Sequence, residues 1–411
     1  MRRDRFGPLH ERQFRLLFSA TTITTLGDYL GNFALVFAVL DLPGAGAGEL
    51  GIVLAVRAVF QSVVVVFGGV LADRLPRNLV LVGASLIQGL AQALTAALVL
   101  TGSASVWSLL VLSLVYGVGG GVVIPAEVGL VPQIVSPERL QQANALQGLS
   151  RNMVSVLGPA IAGPLVVAGS PGVALAFDAV SFLAAAWLLA AIRIAPSVGG
   201  PAPAGFLREL RDGWREFTTH TWLWSTVLLF GISNLVFVGC WAVLGPLIAD
   251  DQYSRLQWAG VLIAAGTGSI IGGLVALRYR PRRPLLASCL VAWPLLLELA
   301  ALAAYAPIWL LGAAAFATGA GISIHITLWF TVFQREVPEH AQSRVSSYDA
   351  LGSFMLIPLG MAIVGPVSAA VGIQETIWAA FAISLACQVA IVAVPSVRAI
   401  RAPEAEPVGA A

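Results

Sequence analysis

The sequence contains no lysine, and all 23 of its basic residues are arginine. This absence excludes a Walker-type phosphate-binding loop, which needs a lysine, and any Schiff-base chemistry on lysine. Charged residues are also scarce, at 11% of the 411 residues, against about 25% in an average soluble domain. Because so few charges cannot cover a soluble protein of this length, the composition excludes an ordinary soluble enzyme.

Cysteine content and net charge narrow the chemistry further. Cys240, Cys289 and Cys387 are odd in number, far apart and set in apolar stretches, which argues against a disulfide framework and against a metal site. The formal net charge of +2 gives no electrostatic reason to bind nucleic acid. We therefore expect no metal, no cofactor, no nucleic-acid partner and no nucleotide hydrolysis.

Long apolar runs make up most of the chain, in which 58% of the residues are hydrophobic. About 20 apolar residues in a helix cross the hydrocarbon of a bilayer, and we identify twelve such runs. The third and fourth runs are separated only by residues 101–105, and the ninth and tenth only by residues 305–306. Each of these pairs is too long for one crossing, so it predicts a hairpin. The sequence thus predicts an all-α integral membrane protein with twelve transmembrane helices.

The arginines orient these runs, because basic residues are retained on the cytoplasmic side of a membrane. If the N-terminus lies inside, every arginine except three falls in a cytoplasmic segment. Arg57 and Arg151 lie within runs, and Arg255 lies in an outer loop with Asp41 and Asp250. We expect a multi-pass protein of the cell (plasma or inner) membrane with both termini in the cytoplasm.

A Pro- and Gly-rich stretch followed by a charged amphipathic segment divides the chain. We predict an N-terminal six-helix half at 1–195, a cytoplasmic linker at 196–219, a C-terminal six-helix half at 220–395 and a cytoplasmic tail at 396–411. Gly163-Pro164 in the fifth run corresponds to Gly365-Pro366 in the eleventh. Spans six apart cross in the same direction, so the halves are predicted to be parallel repeats.

The segment between the second and third runs contains a recognisable motif. It reads Gly69-Val70-Leu71-Ala72-Asp73-Arg74-Leu75-Pro76-Arg77-Asn78. This segment resembles the cytoplasmic loop signature of the major facilitator superfamily. The resemblance implies that Gly69 permits close helix approach, while Asp73, Arg74 and Arg77 anchor the turn through hydrogen bonds and charge.

Further segments of the N-terminal half are informative. They are Phe14-Arg15-Leu16-Leu17, Leu26-Gly27-Asp28, Pro125-Ala126, Ala143-Asn144-Ala145-Leu146 and Phe177-Asp178-Ala179-Val180-Ser181-Phe182-Leu183. These segments resemble the macrolide-efflux and enterobactin-exporter branch of the family, which contains drug:proton antiporters. In the fifth run, Gly158, Pro159 and Gly163 resemble the antiporter motif of drug exporters.

The resemblance implies the major facilitator fold and a secondary active transporter. We expect proton-coupled efflux of a small apolar or amphipathic compound, such as a drug, antibiotic or siderophore, by a monomer in the lipid bilayer. An importer or uniporter of a small metabolite on the same fold is the first alternative. A membrane-embedded enzyme or a non-transporting sensor is the alternative from another class, although no clustered catalytic grouping supports an enzyme.

An ionisable side chain at the bilayer centre costs at least ~2.5–3.5 kcal/mol, so each one calls for a partner or a task. The candidates for proton coupling or for lining a cavity are Asp28, Asn32, Arg57, Gln61, Arg151, Asp178, Asn234 and His325. The sequence leaves open whether Asp28 pairs with Arg57 or titrates. It also leaves open whether Arg151 faces an anionic substrate or Asp178, and whether His325 is structural or relays protons.

Two further acids lie near the inner ends of their runs and are candidates for an inner gate. Glu127 is expected to pair with Arg74, Arg77 or Arg139. Asp349 is expected either to act in the gate with arginines or to cap a helix.

Overall fold

The computed structural model describes residues 7–194 and 206–402, apart from the side chains at 66–74, 206–210, 212–213, 339–340 and 343–344. Twelve of its helical segments are long and apolar enough to cross a membrane. These spans, numbered in chain order, are Arg12–Leu40, Ala47–Val65, Arg77–Leu100, Val106–Ile134, Pro137–Ala168, Pro171–Ala190, Thr221–Gln252, Arg255–Ala276, Pro284–Ala303, Ile308–Glu336, Val345–Val371 and Ile373–Ala393. The predicted number of spans is confirmed. Spans 3 and 4, and spans 9 and 10, are separate helices, and the breaks between them lie at the predicted turns.

Four spans contain a local break. The paired segments are Val106–Gly121 with Val123–Ile134 in span 4, Thr221–Gly239 with Gly245–Gln252 in span 7, Pro284–Val291 with Pro294–Ala303 in span 9, and Glu339–Phe354 with Ile357–Val371 in span 11. In span 7 the break is the π-helical turn Cys240–Leu244. Pro246 and Pro294 lie in the first turns of the following segments, where the missing N–H of proline leaves no intrahelical bond unmade.

Two compact units make up the structure. Unit 1 comprises Met1–Ala202, Val238–Ile263 and Ile357–Ile373, and unit 2 comprises Pro203–Phe237, Ala264–Leu356 and Gln374–Ala411. Each unit has its own apolar cluster, around Phe14, Leu17 and Leu130 in unit 1 and around Leu223, Leu285 and Val332 in unit 2. The predicted division into halves at 1–195 and 220–395, a linker at 196–219 and a tail at 396–411 stays a prediction.

The predicted linker lies partly outside the described residues. Its C-terminal part forms the helix Phe206–Thr219. Trp214 and Phe217 of this helix contact the ring of Tyr348 in unit 2, with ring centroids 5.4 and 5.9 Å apart. Through these two rings, the apolar side of the amphipathic linker helix packs against the rest of unit 2.

Glycines set the distance between helices in two pairs of spans that the internal repeat relates. In span 4, a Cβ on Gly121 would lie 2.7 Å from the backbone oxygen of Gln61 in span 2. In span 8, a Cβ on Gly272 would overlap with the backbone of Ala320 in span 10. Spans 8 and 10 follow spans 2 and 4 by six, so the same close approach recurs in both halves. Small residues let membrane helices pack at short distance in this way.

The Gly272 contact predicts a measurable loss of stability. Gly272→Ala should lower the free energy of unfolding by about 1–3 kcal/mol, because the added methyl group forces two backbones apart. Gly260→Ala is the matched control in the same span, since a Cβ there would meet open space. The control should be neutral or slightly stabilising, as alanine favours helix more than glycine does. The measurement is the melting temperature of the purified protein in detergent, and equal melting temperatures for the two variants would contradict the prediction.

Candidate functional site

Polar side chains of unit 1 converge on one cavity of about 500 Å³. The polar residues that line it are Thr21, Thr24, Thr25, Asp28, Tyr29, Asn32, Arg57, Gln61, Ser85, Gln88, Tyr116 and Glu127. Apolar side chains, including Leu54, Ile124 and Phe182, complete the wall. Four of the predicted candidates, Asp28, Asn32, Arg57 and Gln61, therefore lie at the same cavity. Asp28 and Asn32 are four residues apart in span 1, and Arg57 and Gln61 are four residues apart in span 2. Each pair therefore lies on one face of its helix.

Asp28, Arg57 and Tyr116 form a connected group at the cavity. The Tyr116 hydroxyl donates a hydrogen bond to Oδ1 of Asp28. Nη2 of Arg57 lies 3.9 Å from the same oxygen, and the guanidinium of Arg57 lies over the Tyr116 ring, 3.6 Å from its centroid. A cation over an aromatic face is favourable, most of all where water is excluded. Tyr116 thus connects the acid and the base through two different interactions.

Burial distinguishes the two charged members of this group. The Arg57 side chain is 10% exposed, whereas that of Asp28 is 39% exposed. The carboxylate is therefore the member that solvent or a ligand in the cavity reaches. In this structure Asp28 and Arg57 form an ion pair, in which the acid keeps access to the cavity. Whether Asp28 also titrates stays a prediction.

Close helix packing positions this group. A Cβ on Gly117 of span 4 would overlap with the backbone of Arg57 in span 2, which explains how the arginine reaches the neighbouring Tyr116 ring. In span 5, a Cβ on Gly158 would overlap with the Tyr29 side chain, next to Asp28 in span 1. Pro159 and Gly163, the other residues of the antiporter-like motif, are buried.

A second cavity, of about 650 Å³, shares Thr21, Thr25, Ile124 and Glu127 with the first. In it, Gln147 donates a 3.1 Å hydrogen bond to Oε1 of Glu127, and Nη1 of Arg151 lies 3.7 Å from the same oxygen. The two predicted candidates Glu127 and Arg151 thus pair with each other.

This pairing bears on two questions about charge partners. Glu127 is expected to pair with Arg74, Arg77 or Arg139, and the structure shows Arg151 of span 5 as an ion partner. The Arg74 side chain lies outside the described residues. Arg139 instead pairs with Glu11, at 3.2 Å. Arg151, in turn, lies beside Glu127 and not beside Asp178. The sequence order of these charges does not reveal which helix faces turn toward one another.

Asp178 lines neither of these two cavities, and its predicted part in proton coupling stays a prediction. It is 0% exposed. The Gln92 amide donates a 2.6 Å hydrogen bond to Oδ2, and the Ser181 hydroxyl donates to the carbonyl oxygen of Asp178 at 2.7 Å. A Cβ on Gly27 or Gly31 in span 1 would overlap with the Asp178 carboxylate. The Asp178 carboxylate therefore occupies the space that Gly27 and Gly31, one turn apart on span 1, leave free because they have no side chains.

Unit 2 brings together the remaining predicted candidates. Asp349 accepts a hydrogen bond at 3.0 Å from the Trp329 indole N–H and one at 3.3 Å from the Ser353 hydroxyl. Asn234 donates to the backbone oxygen of Ser353 at 3.1 Å. His325 stacks on Trp329, with centroids 6.2 Å apart. These side chains form one connected group, in which Asn234 is partly buried and the others are buried.

Two observations bear on the roles predicted for this group. Nδ1 of His325 lies 2.9 Å from the carbonyl oxygen of Ser288, so this nitrogen carries the donated hydrogen. The bond anchors the histidine ring, in keeping with the structural alternative. The partners of the Asp349 carboxylate are an indole and a hydroxyl, so an inner gate built on this acid stays a prediction.

The cytoplasmic loop motif lies largely outside the described side chains, which include neither Asp73 nor Arg74, and Gly69 falls in the same stretch. Arg77 is described. Its guanidinium occupies the space that a Cβ on Gly129 of span 4 would need. Within residues 7–194 and 206–402, no group of three or more His, Cys, Asp or Glu side chains is arranged to hold a metal ion.

A model of the Major Facilitator Superfamily matches residues 17–356. The chain belongs to the Major Facilitator Superfamily. It is 29% identical, over 336 residues that cover 78% of each chain, to the enterobactin exporter EntS of Escherichia coli O1:K1. The protein of the same name from Escherichia coli O127:H6 is 28% identical over the same length and coverage.

Solved structures confirm the major facilitator fold. A bacterial homologue of the iron transporter ferroportin, in an inward-facing state, has a TM-score of 0.74 at 16% identity, and the match covers 93% of this chain and 98% of that one. A bacterial homologue of the human lysosomal transporter Spinster has a TM-score of 0.68 at 15% identity, covering 93% and 96%. The predicted fold, twelve transmembrane helices in two parallel six-helix repeats, is thereby confirmed.

Two residues of this major facilitator protein, Tyr116 and Gln92, belong to these polar groups but carry no strong sequence signal. Tyr116 lies in an apolar run, and only the following Gly117 and Gly121 indicated a helix interface there. Gln92 belongs to a stripe with Gln88 and Thr95 at helical spacing, and all three side chains are buried. Such a polar stripe in an apolar span was the available signal.

The environment of Asp178 predicts that it stabilises the bundle. Asp178→Leu should lower the free energy of unfolding by about 1–3 kcal/mol, because it leaves the buried Gln92 amide without an acceptor. Asp178→Asn, which keeps an acceptor oxygen, should cost less. Adding Gln92→Leu to Asp178→Leu should restore part of the loss, since both partners are then apolar. Melting temperatures of the purified variants test this order, and an Asp178→Leu variant as stable as the wild type would contradict it.

Proposed function

We propose that this transporter exports a small apolar or amphipathic compound in exchange for protons. The observation that carries the proposal is the half-exposed carboxylate of Asp28 in a cavity within the span region, held by Tyr116 and by the buried Arg57. In the proposed cycle, the two six-helix halves, 1–195 and 220–395, alternately open the binding region to each side of the membrane.

The group around Asp28 suits reversible proton binding. A proton on Asp28 removes the negative charge that faces Arg57, while the arginine keeps its contact with the Tyr116 ring. The net charge in the cavity therefore changes by one unit, while the guanidinium of Arg57 still has an interaction partner. Each proton that moves inward contributes about 2.3 kcal/mol per 100 mV of membrane potential, which is available to drive a substrate outward.

The lining of the cavity supports the substrate class. Leu54, Ile124 and Phe182 offer apolar surface, whereas Thr21, Thr25 and other side chains offer hydrogen-bonding groups. Ligand sites commonly combine an apolar wall with a few polar groups that fix orientation. A compound with an apolar body and some polar atoms fits such a lining.

Export, rather than import, is supported by the similarity to the enterobactin exporter and by the antiporter-like motif in span 5, of which Gly158 packs against Tyr29. A location in the cell membrane, both termini in the cytoplasm and a monomeric state belong to the same proposal. The distribution of the arginines supports the orientation.

The first experiment is proton-driven uptake into inverted membrane vesicles, screened with dyes, macrolides, tetracyclines and siderophores. Absence of movement for every compound would count against export.

Asp28→Asn should abolish transport driven by a pH gradient, because the amide neither binds nor releases the coupling proton. Exchange of labelled for unlabelled substrate without a gradient should remain, since the cavity keeps its shape. The matched control is Asp251→Asn, which removes an exposed acid beyond the cavity and should leave both rates unchanged. The measurement is substrate flux in vesicles with and without an imposed gradient. Wild-type coupled flux in Asp28→Asn would eliminate Asp28 as the proton carrier.

A further inference from the structure

We propose that Arg255, Asp41 and Asp250 form an ionic latch, which holds one end of the bundle closed and must break when the cavity opens toward that end. The inference goes beyond proton coupling and rests on alternating access. The arginine distribution predicts that this end lies outside the cell. None of the three residues contributes to the cavity.

A single guanidinium joins three spans at this end of unit 1. Its two terminal nitrogens bond the two oxygens of Asp41, at 2.5 and 3.1 Å. Nε and Nη2 bond the two oxygens of Asp250, at 2.7 and 3.1 Å. The guanidinium also lies 4.6 Å from the ring centroid of Phe37. Bidentate pairing of this kind is the strongest form of arginine–carboxylate contact.

All three charges lie at the unfavourable ends of their own helices. Arg255 is the first residue of span 8, where the helix dipole disfavours a cation. Asp41 directly follows the last residue of span 1, and Asp250 lies in the last turn of Gly245–Gln252, where the dipole disfavours an anion. Each charge thus destabilises its own helix, and the pairing between spans offsets this unfavourable interaction with the helix dipole. The three charged residues therefore serve contact between spans and not the stability of their own helices.

Glycines also bring span 5 close to span 8, and span 11 close to span 2. A Cβ on Gly163 of span 5 would lie 2.6 Å from that of Ala259 in span 8, and a Cβ on Gly365 of span 11 would lie 2.5 Å from the backbone oxygen of Ala47 in span 2. The two contacts are related by the internal repeat, since spans 5 and 8 correspond to spans 11 and 2. They form a tight seam, and the latch adds charge pairing to it.

The composition of unit 1 is consistent with this seam. Spans 7, 8 and 11 each contribute one segment to unit 1, within residues 238–263 and 357–373, while their other segments belong to unit 2. Opening at this end requires these segments to leave spans 1, 2 and 5. The Arg255 to Asp41 pair crosses that seam, whereas Asp250 lies on the same side of it as Arg255. Asp250 therefore keeps the arginine paired when Asp41 departs.

Chemical labelling of a cavity cysteine tests the latch. The reporter is Asn32→Cys in a chain whose three buried native cysteines are replaced by alanine, labelled with a membrane-impermeant methanethiosulfonate added outside intact cells. Arg255→Gln and Asp41→Asn should each raise the labelling rate about fivefold, the scale of one favourable surface ion pair. The double variant should label no faster than either single variant, because both remove the same pair. Arg335→Gln, which breaks a pair with the adjacent Glu336, is the matched control and should leave the rate unchanged.

Salt provides a second measurement that needs no substitution in the latch. About 1 M NaCl, where the Debye length is about 3 Å, should accelerate labelling of the reporter chain and have no effect in Arg255→Gln. Melting temperatures identify any variant that fails to fold. Unchanged labelling in a folded Arg255→Gln variant, or additive rates in the double variant, would overturn the proposal. Labelling needs no transported substrate, so this result is independent of whether the proposed efflux is found.

Discussion

A charged side chain in hydrocarbon is stable only with a partner, and the type of partner divides the acids of this bundle into two classes. Asp28 and Glu127 have arginine partners and line cavities. Asp178 and Asp349 have only neutral donors among their described partners, and they are 0% and 8% exposed. Pairing with arginine therefore coincides with access to the cavity, whereas neutral donors coincide with packing. Glu298 belongs with the buried acids, since it is 2% exposed and its hydrogen-bonding neighbour is the Thr318 side chain, although its Oε2 has no partner in the described part of the chain.

These partners meet because glycines let the helix backbones approach. Gly117 places Arg57 beside the Tyr116 ring, and Gly27 with Gly31 opens the slot for the Asp178 carboxylate. Lipid chains are as apolar as the helix surfaces, so close contact must supply much of the attraction between spans. The same small residues that hold the bundle together therefore decide which polar groups can reach each other. Stability and the geometry of the site have one origin.

The spans, the hairpins and the repeat could be predicted from sequence because each depends on local length and hydropathy. Part of the cavity could be predicted as well, since Asp28 with Asn32, and Arg57 with Gln61, lie one turn apart on single helices. The partners of Glu127 and the burial of Asp178 could not be predicted. They depend on how each helix is rotated against its neighbours, which the contacts of Gly31 and similar residues determine. Tyr116 was missed for the same reason, because its role exists only between helices.

Arg57 and Arg255 share one arrangement, in which a guanidinium lies between a carboxylate and an aromatic face. For Arg57 the ring belongs to Tyr116, and for Arg255 it belongs to Phe37. A planar guanidinium stacks on a ring and binds a carboxylate at its edge, and it stays charged when buried, whereas a lysine ammonium is a point charge that loses its proton more readily. If Asp28 is neutralised or Asp41 departs, such an arginine keeps a second partner. The absence of lysine from this chain thus fits a bundle in which cations must remain charged while their acidic partners change.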